Sequence, residues 1–468
     1  MIKHINRVKA KIAMERIIWA RQALLPDGWA KNVCLRLDAE GRIASVTPDA
    51  APQGQRVDTL LPAPVNLHSH AFQRAMAGMT EARGPDPRDT FWTWRRLMFR
   101  FLEHLTPEHA RAIAAMVQME MLEAGYAAIA EFHYLHHQPD GTPYDDLAEM
   151  AQGHCAAAEE TGIGLTLLPV LYRYGGLDRR ALAPGQRRFG NDPDRFAALF
   201  DASAKAVAGL SADSGIGVAP HSLRAVQPED LAFCAELAGD RVIHMHLAEQ
   251  DEEVVEVEAA LGARPVTWLL ENAPVSERWC LIHCTQMTPE ETTGLAQTGA
   301  VAGLCPITEA SLGDGIFDGA RYLAQGGGFG VGSDSNIRIS LVEELRGFEY
   351  SQRLRDRGRA VLATQAQSTG RVLWEGAATG GAQAAGRASG AIAPGLWADL
   401  VALDGQQPDL AGRVGDMTLD TLIFAGDHRA IREVWAAGRH VVREGAHVNR
   451  DAIVARFRAV QQQLQALM

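Results

Sequence analysis

Between residues 62 and 390 short apolar runs alternate with amphipathic stretches, and this alternation constrains the fold more than any other feature of the chain. The runs fall at 60–67, 127–132, 165–171, 216–220, 242–247, 280–283, 301–305 and 328–332, lengths that suit buried strands. The stretches between them carry helix punctuation. One opens at Thr106-Pro107-Glu108, keeps Ile113, Val117 and Met121 on one face, and stops at Gly125. A capping threonine, a proline in the first turn and a glycine past the end each sit where they stabilise a helix terminus. Eight such repeats predict an α/β fold, a (β/α)8 TIM-like barrel over residues 63–390, with reactive groups at the C-terminal ends of its strands.

Outside the barrel the texture changes. Apolar runs at 17–20, 33–37 and 43–46, separated by Gly and Pro, read as β-strands, and similar runs return at 394–403 and 432–442. The two ends therefore predict one small, discontinuous β-sandwich domain formed by residues 14–62 and 391–450. Residues 1–13 read as an upstream extension, because Met14-Glu-Arg-Ile-Ile-Trp19 looks like the natural lead into a strand.

Composition narrows the function classes. A net charge of −12 argues against a nucleic-acid partner, whose phosphates call for a basic surface. No run of about 18 apolar residues predicts a membrane span, and the N-terminus lacks the apolar core and cleavage site of a signal peptide. The cysteines at 34, 155, 234, 280, 284 and 305 show no CxxC spacing and are expected to be reduced thiols of a cytoplasmic protein. Lysine occurs only at 3, 9, 11, 31 and 205, so any recognition of anions falls to arginine. A homodimer is the default assembly for such a chain.

Metal-ligating residue types cluster where the barrel reading puts reactive groups. His68-Ser69-His70 closes the first run, and imidazoles at i and i+2 on a strand point the same way, so one cation is gripped from one strand. His246 ends the run at 242–247, with His244 on the same strand face as an alternative ligand. Glu249 follows where a carboxylate can lean over the ion. His283 ends the next run as a donor or second base, and Asp334 lies among Gly332, Ser333 and Ser335, small residues that permit close backbone approach. Three nitrogens from His68, His70 and His246 plus the Asp334 carboxylate leave a position open for water, the pattern of a catalytic divalent metal; zinc is expected and iron(II) is the alternative. A single ion is expected, because Lys205 sits in a helix-like stretch and the fourth run leads into Ala219-Pro-His-Ser-Leu-Arg224, with no bridging carboxylate or lysine.

Taken together, the His-x-His, His-x-x-Glu, His and Asp series on successive strands resembles the amidohydrolase superfamily and its deaminase branch. Within that branch the chain is similar to the N-formimino-L-glutamate deiminases, over residues 14–460. The similarity is carried by Asn66-Leu-His-Ser-His-Ala-Phe-Gln-Arg74, Phe91-Trp-Thr-Trp-Arg-Arg96, Ala130-Glu-Phe-His-Tyr134, Ala219-Pro-His-Ser-Leu-Arg-Ala225, Gly332-Ser-Asp-Ser-Asn336 and Leu341-Val-Glu-Glu-Leu-Arg346. Asn336 departs from the histidine that family members carry after Ser-Asp-Ser.

The resemblance implies hydrolysis of a small dicarboxylate, N-formimino-L-glutamate, to N-formyl-L-glutamate and ammonia in histidine degradation. It implies that Arg95 and Arg224 clamp carboxylates, with Gln73, Tyr134 and His221 adding hydrogen bonds. On spacing alone Arg95 reads equally as a solvated helix arginine, with Arg96 and Arg100 beside it. Asp334 would take a proton from the attacking water, His283 would orient it, and Glu249 would protonate the departing nitrogen. The alternatives are a purine or pyrimidine ring deaminase of the same superfamily, for which Phe91, Trp92 and Trp94 could supply stacking, and a non-catalytic metal-binding scaffold.

Overall fold

The structure, a computed structural model, describes residues 16–81 and 91–467; the extension at 1–13 lies outside the described residues. The apolar run at 60–67 does not form one strand. Pro62 and Pro64 interrupt it, and the chain passes there from one sheet to another: strand β4 (Gln55–Pro62) belongs with β1 (Ile17–Leu25), β2 (Gly28–Leu37) and β3 (Ile43–Thr47), whereas β5 (Val65–Ser69) opens the barrel. Proline supplies no backbone donor, so a ladder ends readily at such a pair.

The barrel continues with β6 (Ala128–His133), β7 (Gly164–Leu171), β8 (Gly215–Ile216), β9 (Ala219–Pro220), β10 (Ile243–Leu247), β11 (Trp279–His283), β12 (Val301–Leu304) and β13 (Gly328–Val331). The run at 216–220 is thus two short pieces, β8 and β9, both paired with β7. All of these strands pair in parallel, in the orders β5-β6-β7-β8 and β10-β11-β12-β13. Backbone hydrogen bonds join the two groups at both edges. Val218 N donates to Val242 O at 3.0 Å and His244 N to Val218 O at 3.0 Å, while Asp334 N donates to His68 O and His70 N to Asp334 O, both at 2.9 Å. Intervening helices follow the sequence punctuation. Helix Pro107–Glu123 starts at Thr106, whose hydroxyl accepts from His109 N at 3.3 Å, and the chain turns away at Gly125 with φ +98°.

After the barrel the chain returns to the first sheet through β14 (Leu400–Leu403), β15 (Ile431–Ala436), β16 (Arg439–Arg443) and β17 (Ala446–His447). The resulting eight-stranded sheet runs β17-β16-β15-β14-β4-β1-β2-β3, so β14 and β4 stitch the chain ends together. Its strands enclose an apolar core of their own that includes Ile18, Val33, Leu35, Leu60, Leu400 and Trp435. Among the described residues no helix is long and apolar enough to cross a membrane, and the six cysteines are buried and unpaired.

Candidate active site

The candidate metal ligands, with Glu249 and His283, lie at or just past the C-terminal ends of barrel strands. His68 is in β5 and His70 follows it; His246 is in β10, His283 ends β11, and Asp334 comes three residues after β13. The backbone is bent to bring them there. Ala248, His283, Cys284, Asp334 and Asn336 all take positive φ, between 45° and 73°, a conformation that non-glycine residues adopt at a cost and that gathers at functional sites. Gly332 lets the β13 end press against β5, since a Cβ there would lie 2.6 Å from His68 O. The small residues before Asp334 thus serve an approach to the neighbouring strand. Asn336 completes the joint: its amide donates to Ser69 Oγ at 3.1 Å and to Asp334 O at 3.0 Å, and it accepts from Ser333 Oγ at 2.6 Å.

Three imidazoles converge. His68 Nε2 lies 3.1 Å from His246 Nε2, and Asp334 Oδ1 is 3.4 Å from His68 Nε2 and 3.2 Å from His70 Nε2. His70 Nδ1 contacts Phe132 O and His246 Nδ1 contacts His221 O, each at 3.1 Å. A proton held by a backbone carbonyl on Nδ1 leaves Nε2 with its lone pair facing inward, the tautomer that a metal ligand needs. Burial also keeps the rings neutral, pushing His68 down to about 3 and His70 and His246 below their usual value. Burial would raise Asp334, but its contacts with His68 and His70 outweigh it and hold the carboxyl below its normal range. Neutral nitrogens converging with an ionised carboxylate fit a divalent cation, and His68, His70 and His246 form a buried trio with ligand atoms within 4.8 Å of one another. His244, the alternative ligand, points elsewhere: its Nε2 contacts Ala384 O at 2.8 Å.

Further buried ionisable groups sit beside this trio. His283 Nε2 is 3.9 Å from Glu249 Oε1, and its Nδ1 is 3.3 Å from Glu309 Oε1. Burial would lower His283, but the charges of Glu249 and Glu309 push it up to about 10. Glu249 Oε2 accepts from Arg224 Nη2 at 3.0 Å, and Glu253, with no exposed surface, stands 3.6 Å from the same nitrogen. Arg224 thus lines the cavity with Glu249 at its side.

One cavity joins these groups to Gln73, Arg95, Tyr134 and His221. Gln73 Nε2 donates to Tyr134 OH at 3.0 Å, and Arg95 Nη2 to Tyr172 OH at 2.7 Å. The solvated-helix alternative for Arg95 fails, since it lines the cavity. The side chains of Phe91, Trp92 and Trp94 lie outside the described residues. Sequence reasoning missed Tyr172, Gln186 and Glu309. Glu309 follows β12 and accepts from Cys305 N at 2.8 Å; a histidine aimed into a polar site needs a partner for its second nitrogen, but spacing alone does not say where that partner lies.

The chain is similar to known proteins over most of its length. A model described as Amidohydrolase family matches residues 59–441, and one described as Formimidoylglutamate deiminase HutF, N-terminal domain, matches residues 15–56. A formimidoylglutamate deiminase of Pseudomonas aeruginosa is 48% identical over 444 residues, covering 94% of this chain and 97% of the relative. An 8-oxoguanine deaminase of the same species is 28% identical over 412 residues, 86% of each chain. Among solved structures, an amidohydrolase from Brucella melitensis superimposes with a TM-score of 0.92 at 48% identity, over 96% of this chain and 100% of that one. An adenosine deaminase from Xanthomonas campestris with bound zinc shares the fold, with a TM-score of 0.79 at 19% identity over 96% and 98% of the chains.

Proposed function

The chain belongs to the amidohydrolase family, and from that premise we propose that it hydrolyses N-formimino-L-glutamate to N-formyl-L-glutamate and ammonia, a step of histidine degradation. The observation that carries this reading is a single cavity with a histidine–aspartate cluster in one wall and two arginines, Arg95 and Arg224, in the others. A dicarboxylate calls for two forked cations, and a neutral purine ring does not. The identity to a formimidoylglutamate deiminase, 48%, also exceeds that to the 8-oxoguanine deaminase, 28%.

His68, His70, His246 and Asp334 would hold one divalent cation, zinc before iron(II), whose chemistry when bound is Lewis-acid activation of water, lowering its pKa to about 7. Arg224, beside Glu249, clamps the carboxylate next to the reacting nitrogen, and Arg95 takes the distal one, with Gln73, Tyr134 and His221 adding hydrogen bonds. Asp334 accepts the proton of the attacking water. His283, kept cationic by its acid neighbours, donates to the incoming oxygen and orients it. As the C–O bond forms, the C=N π pair moves onto nitrogen. Glu249 relays to that nitrogen first the proton taken up by Asp334 and then, as the adduct collapses, the proton of the added hydroxyl. The C–N bond breaks, the formyl C=O forms, and nitrogen departs as ammonia, a far better leaving group than amide ion. We place the reaction in the cytoplasm, which suits six buried free thiols, and assign a homodimer, the commonest closed assembly.

The test is ammonia release from N-formimino-L-glutamate, guanine and adenosine by metal-reconstituted protein. Turnover of a ring substrate without turnover of formiminoglutamate would overturn the assignment. In the same assay Glu249→Gln keeps its full metal content and loses about 10²- to 10⁴-fold in kcat; normal turnover at full occupancy would remove Glu249 as the proton donor.

A further inference from the structure

Tyr172, at the C-terminal end of β7 and 3% exposed, has a hydroxyl whose hydrogen-bonding capacity is almost fully accounted for. Arg95 Nη2 donates to it at 2.7 Å and Gln186 Nε2 at 2.8 Å. The direction of both bonds is fixed. A guanidinium only donates, and the Gln186 amide is pinned by its other end, where Oε1 accepts from Ala183 N at 2.8 Å. A phenol oxygen has two acceptor positions and one proton. With both positions filled, the proton of Tyr172 must be donated outward, and no described residue accepts it.

The phenol lines the same cavity as Arg224, Glu249 and Asp334. The two carboxylates in that wall are already engaged, Glu249 by Arg224 and Asp334 by His68 and His70. A donor turned into a pocket whose own carboxylates are engaged, and polarised by an arginine on its oxygen, is matched to an anionic oxygen arriving with the substrate.

We propose that Tyr172 is a substrate-reading residue, donating its hydroxyl proton to the substrate carboxylate remote from the reacting carbon, with Gln186 as the positioning residue that holds the phenol. This rests on the reaction proposed above and adds to Arg95 a second group that recognises the side-chain carboxylate. Arg224 is bonded to Glu249, the group assigned above to the departing nitrogen, whereas the phenol of Tyr172 is bonded to Arg95, the arginine assigned above to the distal carboxylate. Tyr172 packs edge-on against His221 with ring centroids 4.6 Å apart, which fixes the direction of its hydroxyl.

The experiment compares wild type with Tyr172→Phe, which keeps the ring and its packing. The substrates are N-formimino-L-glutamate and N-formimino-L-norvaline, of the same length without the side-chain carboxylate. The expected result is a KM for the glutamate substrate raised about 10- to 100-fold, the worth of one charge-assisted hydrogen bond. Its kcat should stay within about threefold, and kcat/KM for the norvaline substrate should barely move. An unchanged KM, or equal losses on both substrates, overturns the proposal. Calorimetric binding of N-formyl-L-glutamate reads the same contrast without turnover. Weaker binding by the variant, with wild type inactive on formiminoglutamate, would sink the assigned reaction and keep Tyr172; equal binding would sink Tyr172 whatever the reaction.

Discussion

Two sets of buried ionisable side chains lie at opposite ends of the barrel strands, and they are built on opposite principles. Just ahead of β8 and β14, Arg387 holds Asp399 through Nε at 2.6 Å and Nη2 at 2.9 Å, and Asp213 through Nη2 at 2.9 Å. Arg439 of β16 adds bonds to Asp213 at 2.8 and 2.7 Å, and Asp399 also accepts from Ala437 N at 2.7 Å. Cations and anions are matched, and the network ties the terminal sheet to the barrel. At the mouth, by contrast, His68, His70 and His246 turn nitrogens toward one another, and His68 Nδ1 has no partner among the described residues. Burial is similar in both places; what differs is whether the polar groups satisfy each other. A cluster left incomplete by its own chain is arranged for a ligand, and one that is complete is arranged for the fold.

Breaking each set separately tests that contrast. His246→Gln removes an inward-facing nitrogen with little change in volume. The expected outcome is the largest in the molecule, loss of bound metal and of all turnover together, with the melting temperature matching that of metal-free wild type. Metal analysis and calorimetry check it, and a variant that keeps its metal would make the mouth cluster structural. Arg387→Met should do the reverse. It strands Asp213 and Asp399 without their cation, a loss of about 3–5 kcal/mol in urea unfolding, while kcat per folded molecule stays near wild type. A collapse in kcat with stability intact would erase the distinction between the two ends.

How much of this was legible in the sequence follows the same division. The mouth residues His68, His70, His246 and Asp334 announce themselves because metal chemistry prescribes residue types and a strand prescribes their spacing. Helix Pro107–Glu123 is legible because capping is local. The Pro62-Ala63-Pro64 switch between sheets is not, since both sides are equally apolar and the break shows only in their different partners. The Arg387 network joins residues 12 and 174 positions apart, and Tyr172 meets Gln186 through a loop. Neither pairing has a period to detect. Gln73, Arg95, Tyr134, His221 and Arg224 came from family resemblance, because carboxylate recognition sets no spacing along the chain.

Glu131 sharpens the comparison from a third side, as a buried acid with neither a matched cation nor a place in the mouth. It is 2% exposed; Oε1 accepts from Ala71 N at 2.7 Å, and Oε2 has no partner among the described residues. His154 Nδ1 stands 3.9 Å from it, but burial pushes that imidazole down to about 4, so it supplies no charge near neutrality. Burial outweighs the bonds from Ala71 and Ser69 and raises the Glu131 carboxyl from 4.5 to about 8. A folded-state value above the unfolded one means that the protonated acid favours the fold: its contribution is complete below the unfolded value of 4.5 and is lost as pH rises through about 8. Glu131→Gln keeps the acceptor for Ala71 and cannot ionise. Its stability relative to wild type should therefore hold steady in acid and climb by about 1.4 kcal/mol per pH unit through that window, levelling off above it. This is the smallest effect near pH 5 and is measured by urea unfolding at a series of pH values. A difference that stays flat to pH 9 would mean that Glu131 is ionised in the folded protein and paired with a cation, which would move it into the class of Asp213 and Asp399.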